Sequence, residues 1–201
     1  MNLEAEYNNR ALVPDHPAII ARWLNDARAW RDAMPLEPDI PYGARPRNRL
    51  DFFAAGGQGP IVLFIHGGYW RSLDKAHFSH VARGPNAHGL DVAVAGYTLC
   101  PDISLLDIID ELRQCCLFLR ERYGRPLLVT GHSAGGHLAA CLAATGWQHY
   151  GQPRGLIQAG LSISGLFDPV RFSPPRSTTI CGSPPQPRRR RARFCGRCPT
   201  H

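Results

Sequence analysis

Lysine is almost absent from this chain: of 23 basic residues in 201, only Lys75 is not an arginine. Acidic residues are missing altogether from the last 30 positions. Long apolar runs are missing too; stretches such as 61–65 fall far short of the ~20 residues a membrane span needs, so no membrane partner is expected. The first six residues, Met1 to Glu6, offer neither a basic start nor an apolar stretch, so no secretory signal is expected. Seven cysteines is an odd number for a chain without an export signal. A disulfide framework is therefore not expected, and a cytoplasmic location is. Cys115, Cys116 and Cys141 fall within helical patterns and read as small buried hydrophobes.

The net charge of +7 is unevenly placed. Residues 172–201 hold seven Arg, six Pro and three Cys; subtracting those seven from 23 leaves 16 basic residues against 16 acidic ones in 1–171. A chain basic throughout, the footprint of a nucleic-acid-binding domain, is excluded. The neutral part, with all four Trp and a chain-wide hydrophobic content of 44%, has the composition of a folded domain with a sizeable core.

Apolar periodicity orders the body. Positions 20, 23, 24, 27 and 30 share one face of a helix over 17–34, with Asp15 as its cap. Short strands are expected at 39–43 and 50–53, separated by a basic turn. Continuous β-rich runs at 61–65, 92–96 and 127–130 suggest strands buried on both faces, as in a parallel sheet. A helix over 104–123 begins with Ser104 and Asp107 as a capping pair and stops at Gly124. A further strand is expected over 155–163. This alternation predicts a doubly wound, mostly parallel α/β sheet.

Gly131-His132-Ser133-Ala134-Gly135 is G-x-S-x-G. It lies between a buried strand and a helix over 134–145, the context in which that pattern presents a nucleophilic serine on a sharp turn. The helix start also aims N–H groups and partial positive charge at a developing oxyanion. His66-Gly67-Gly68-Tyr69-Trp70 follows another buried strand. Its two glycines let backbone approach a ligand closely and leave N–H groups free for one. No metal-ligand set is read in the body.

These two motifs, about 65 residues apart, with Tyr97-Thr98-Leu99-Cys100-Pro101 between them, resemble the α/β-hydrolase esterases of the hormone-sensitive-lipase type. The likeness is greatest to the kynurenine formamidases (arylformamidases) and their esterase relatives. Tyr7-Asn8-Asn9-Arg10, Tyr42-Gly43 and Ser164-Gly165-Leu166-Phe167-Asp168 add to it, and it runs from about Tyr7 to Pro169. The resemblance implies an α/β-hydrolase fold, Ser133 as nucleophile, and an oxyanion hole from the backbone of Gly67, Gly68 and Ala134. It implies a pocket shaped by Tyr69 and Trp70, and no cofactor or metal. The implied substrates are small-molecule acyl esters or the formyl amide of N-formylkynurenine, cleaved through an acyl-enzyme.

One departure follows. The fold's triad runs Ser, then Asp or Glu, then His, the last two on loops after the seventh and eighth strands. Those strands are missing from the pattern, so the domain is expected to be truncated after about the sixth strand and its activity impaired. Asp168 is a possible acid in a rearranged site. His66 and His132 read as structural, and His137 and His149 lack a supporting strand. Residues 172–201, including Cys181, Cys195, Cys198 and the run Arg188 to Arg191, form no apolar face. They are expected to be a disordered tail, the product of a reading-frame change in an arginine-biased gene. The alternatives are a non-catalytic remnant or a binding module that uses the basic tail.

Overall fold

The computed structural model describes residues 12–167. Asp168 and the expected tail at 172–201 lie outside the described residues. The elements in chain order are α1 (His16–Ala33), β1 (Leu36–Pro41), β2 (Arg49–Phe53), β3 (Ile61–Ile65), α2 (Arg83–Ala87), β4 (Val92–Ala95), α3 (Leu105–Tyr123), β5 (Leu127–His132), α4 (Ala134–Ala143) and β6 (Ile157–Ile163). Short 3-10 turns fill Lys75–His77, Ser79–Ala82, Trp147–Tyr150 and Arg154–Leu156.

The sheet runs β1-β2-β4-β3-β5-β6. β4, β3, β5 and β6 are mutually parallel, whereas β1 and β2 add an antiparallel edge. The expected mostly parallel sheet, six strands long, is thus what these residues build. β3 explains why its sequence is continuously apolar. Ile61, Leu63 and Ile65 pack on one side with Ile108, Leu112, Cys115, Cys116 and Leu119 of α3. Val62 and Phe64 pack on the other with Phe53, Phe78, Val92 and Val94. Alternate side chains thus feed two cores, so no polar position is tolerated.

The capping pair at the start of α3 is present: Ser104 Oγ accepts from Asp107 N, and Asp107 returns the contact to the Ser104 backbone. Gly124 closes the helix at φ +69°, a conformation glycine adopts without a Cβ clash. Several boundaries shift. β1 begins at Leu36 rather than 39 because Leu36 and Glu37 pair with Phe53 and Phe52, with a bulge before Ile40. Asp15 sits at the start of α1 but makes no side-chain cap bond. Cys115, Cys116 and Cys141 are free thiols, the first two sealed in the core.

β6 is the exception to the burial pattern. The strand expected over 155–163 is present, and Leu161 is 61% and Ile163 44% exposed. Among the described residues no strand pairs with its outer side. Nor is any helix among the described residues long and apolar enough to cross a membrane.

Candidate active site

β5 ends in the turn that carries Ser133. Its backbone sits at φ 57°, ψ −120°, outside the regions a non-glycine residue ordinarily occupies. Strain of this kind persists only where the surroundings over-determine it, and here they do. Ser133 N donates to Ile163 O of β6 at 2.8 Å, and Ser133 O accepts from His137 N of α4 at 3.1 Å. The turn is therefore tied on one side to the neighbouring strand and on the other to the helix it starts. Ala134 opens α4, so its N–H belongs to the set that has no partner within the helix.

The His66–Trp70 loop meets this turn. A Cβ built on Gly67 would lie 2.7 Å from His132 O and 3.2 Å from Ser133 Cβ. Only glycine lets the two loops approach so closely. Gly68 follows at φ +107°, and a Cβ there would sit 2.2 Å from Ser72 O. Gly68 O accepts from Arg71 N and Ser72 N at 3.0 and 3.1 Å, folding the loop back on itself. Gly67, Gly68, Ser133 and Ala134, far apart in sequence, thus share one corner at the carboxyl ends of β3 and β5.

Tyr69 and Trp70 part company. Tyr69 is half-buried, whereas Trp70 is 1% exposed, inside the α3/α4 core and edge-on to His137 with ring centroids 5.4 Å apart. Trp70 therefore supports the site from behind. Asp168, the possible acid, lies outside the described residues. His137 packs on α4 with its Nε2 3.6 Å from Cys141 Sγ, and His149 is exposed in the turn after α4. Among the described residues no imidazole or carboxylate hydrogen-bonds the Ser133 hydroxyl, and no three His, Cys, Asp or Glu side chains converge as a metal set.

His66 is fully buried, stacked on Tyr97 at 4.3 Å between ring centroids and on Phe78 at 5.9 Å. Its Nδ1 lies 2.7 Å from Gly67 O. A carbonyl can only accept, so Nδ1 carries a proton. Burial pushes its pKa from 6.5 down to about 4. Tyr97 OH donates to His66 O at 3.0 Å, pinning the residue from its backbone side. His66 is thus a brace for the glycine loop.

That brace predicts a pH signature. The unfolded chain takes up a proton near pH 6.5 and the folded chain only near 4, so stability is complete above 6.5 and falls as pH drops through this window. The expected loss is about 3 kcal/mol, at ~1.4 kcal/mol per unit. Burial lowers the pKa of His137 as well, with the same sign. Urea midpoints measured between pH 7 and 4 should fall steeply in the native chain. His66→Asn, which can still donate to Gly67 O, should flatten the slope; an unchanged slope would show that His66 is not its source.

Comparisons with known proteins bear on the fold and the family. No family model matches the chain. Kynurenine formamidase of Danio rerio is 30% identical over 136 residues, which is 65% of this chain and 46% of that protein. An isoprenylcysteine alpha-carbonyl methylesterase of Arabidopsis thaliana is 32% identical over 128 residues, 59% of this chain and 30% of that one. A crystal structure described as a thioesterase from Silicibacter sp. TM1040 superposes with a TM-score of 0.76 at 30% identity, covering 86% of this chain and 66% of the other. The chain is an α/β-hydrolase, formamidase/esterase-like. Inhibited esterase B of Lactobacillus rhamnosis has a TM-score of 0.52 at 26% identity, covering 74% of this hydrolase and 56% of the esterase. This hydrolase spans less than half the length of the curated formamidase it matches.

The motifs include Tyr97 but give it no role; its hydroxyl holds His66. They miss the pair Lys75 and Asp51, whose buried contact supports the sheet beside the loop, Nζ to Oδ1 2.6 Å. The one lysine of the chain was the available signal for that pair.

Proposed function

We propose that this chain is a cofactor-independent serine hydrolase acting on a small acyl ester or a formyl amide. The observation that carries the reading is the contact of Gly67 with the strained Ser133, which sets a hydroxyl and two candidate sources of oxyanion N–H groups in one corner. Ser133 Oγ attacks the acyl carbon and its proton passes to water. The carbonyl electrons move onto oxygen, where the N–H groups of Gly67 or Gly68 and of Ala134 stabilise the charge. Collapse of this intermediate expels the alcohol or amine with a proton from water and leaves the acyl group on Ser133; a second water then releases the acid. The formamidase and methylesterase relatives support both substrate classes equally. Both pass through the same oxyanion, which is why the fold serves either.

Among the described residues no histidine hydrogen-bonds the Ser133 hydroxyl, and a serine without such a base is a weak nucleophile at its free pKa. Turnover is therefore expected to be slow, within the ~10³–10⁴-fold over water that oxyanion donors and binding supply in triad-deficient proteases. The domain division goes with this reading: 1–171 as the hydrolase body, 172–201 as a segment unrelated to it. Hydrolysis of a short aryl ester and of N-formylkynurenine by the purified chain tests the proposal. Slow release that vanishes in Ser133→Ala supports it. Release that survives Ser133→Ala overturns Ser133 as the nucleophile, and none above the rate in buffer favours a non-catalytic remnant.

A further inference from the structure

The turn between β1 and β2 carries two arginines, Arg45 and Arg47, that the site as described does not use. Arg47 is the one that reaches the glycine loop. Its Nε donates to Tyr97 O at 2.9 Å, and its Nη2 donates to Leu73 O at 2.8 Å and pairs with Asp74 Oδ2 at 3.0 Å. One planar guanidinium therefore joins the exit of β4 to the far end of the His66–Leu73 loop. A fork of fixed donors suits such a task better than a single ammonium.

The loop has reason to need it. Gly68, Tyr69, Trp70 and Leu73 all sit at positive φ, at 107°, 52°, 57° and 71°. Three of these four carry side chains, for which that region is unfavourable, so the loop needs contacts from outside in addition to its own hydrogen bonds to Gly68 O. Those contacts come from few directions. Cys100 N donates to Trp70 O at 2.8 Å, His66 braces Gly67, and Arg47 takes Leu73. Asp74 in turn accepts from Ala76 N at 3.0 Å, so the ion pair also fixes the start of the next 3-10 turn.

Arg47 is itself held rigidly. Asn48 N donates to Arg45 O, and Arg45 N donates to Asn48 Oδ1. Gly96 N donates to Arg49 O at 2.8 Å, and Tyr42 OH donates to Gly96 O at 2.5 Å. A Cβ on Gly96 would sit 2.9 Å from Arg47 O, so the turn lies directly against the β4 exit. Arg45 reinforces the same exit through Glu111 at 3.4 Å, whose carboxylate accepts from Thr98 N and Oγ1.

The geometry points to Arg47 as a positioning residue that clamps the oxyanion loop in its strained shape. This rests on the proposed serine-hydrolase reading for its consequence, though not for the clamp itself. Arg47 touches no reacting atom; it acts through Leu73 and Tyr97 on the backbone of Gly67 and Gly68.

Amide hydrogen exchange read together with the reactivity of Ser133 tests this. In Arg47→Ala the amides of Arg71, Ser72 and Cys100 are expected to exchange about 10-fold faster or more, while those of β3 and β5 keep their rates, as for a local opening. The maximal rate of Ser133 labelling by a fluorophosphonate should fall about 10²-fold, the scale of a misplaced catalytic group. Added guanidinium should restore part of it. Arg47→Lys should fall between the two, and it carries the same comparison if Arg47→Ala does not fold. Exchange that is unchanged at those three amides, or that rises equally across β3 and β5, overturns the clamp. If the unaltered chain takes no label, the serine-hydrolase reading fails, and the exchange comparison alone still decides the clamp.

Discussion

Gly135→Ala should lower the unfolding free energy by about 4 kcal/mol, at the upper end of what one added methyl does. Gly135 lies in the first turn of α4, directly under β3. A Cβ there would sit 2.1 Å from Ile65 O, 2.7 Å from Ile65 C and 2.6 Å from His66 O. All three are backbone atoms of a central strand and of the glycine loop that follows it, so none can swing away. Helix propensity works in the other direction, since alanine is favoured over glycine by about 1 kcal/mol within a helix. The clash is larger and it wins. For a domain of this size the loss corresponds to a fall in Tm of about 10 °C, at ~2–4 °C per kcal/mol. Gly155→Ala, where a Cβ meets nothing within 4 Å, is the control and should change Tm little. Equal Tm values for the two variants would mean that α4 does not press on β3 as described.

Asp51→Ala should be nearly as damaging, for an electrostatic reason. Asp51 is fully buried in β2 and accepts from Lys75 Nζ at 2.6 Å, from Asp39 N at 2.9 Å, and from Arg31 of α1. Lys75, itself 6% exposed, also reaches Asp39 Oδ1 at 2.7 Å and thereby holds that carboxyl below its usual range. Removing Asp51 leaves a buried ammonium with one exposed partner, Asp39, and weakens the hold of Arg31, which ties α1 to the body. Breaking a buried pair in this way costs about 3–5 kcal/mol. The double variant Asp51→Ala/Lys75→Met should recover much of that loss, because the penalty lies in the stranded charge rather than in the missing pair. Chemical denaturation of the two single variants and the double measures the coupling. Strict additivity would show that the two residues do not depend on each other.

Much of this architecture is legible in the sequence, and the reasons are local. β3 is a continuous apolar run because both its faces are covered, whereas β5 is buried on one face and half-buried on the other; their neighbouring motifs follow from strand ends and glycines. The Ser104/Asp107 capping pair and Gly124 mark α3 because a helix's unpaired ends are satisfied by nearby residues. What was not legible depends on distant partners. The sequence from Ile157 to Ile163 reads as a strand, but its exposure depends on what lies beyond it in space. Tyr69 and Trp70 are adjacent, yet one is half-exposed and the other sealed against His137. No periodicity predicts that split, because positive-φ residues set it. The contact between Arg47 and Leu73 spans 26 residues, and the basic turn offers no sign of which arginine turns inward. Lys75 stands out by composition alone, and only the sheet reveals its partner in Asp51.

The corner formed by Ser133, Gly67 and Gly68 is the centre of the functional reading, and its chemistry can be measured directly. The purified chain is treated with a fluorophosphonate and the adduct is located by mass spectrometry of its peptides. A serviceable elbow gives a single phosphonyl group on the peptide that holds Ser133, and none in Ser133→Ala. A chain that stays unmodified, or carries the group elsewhere in both proteins, would contradict the assignment of Ser133 as the nucleophile.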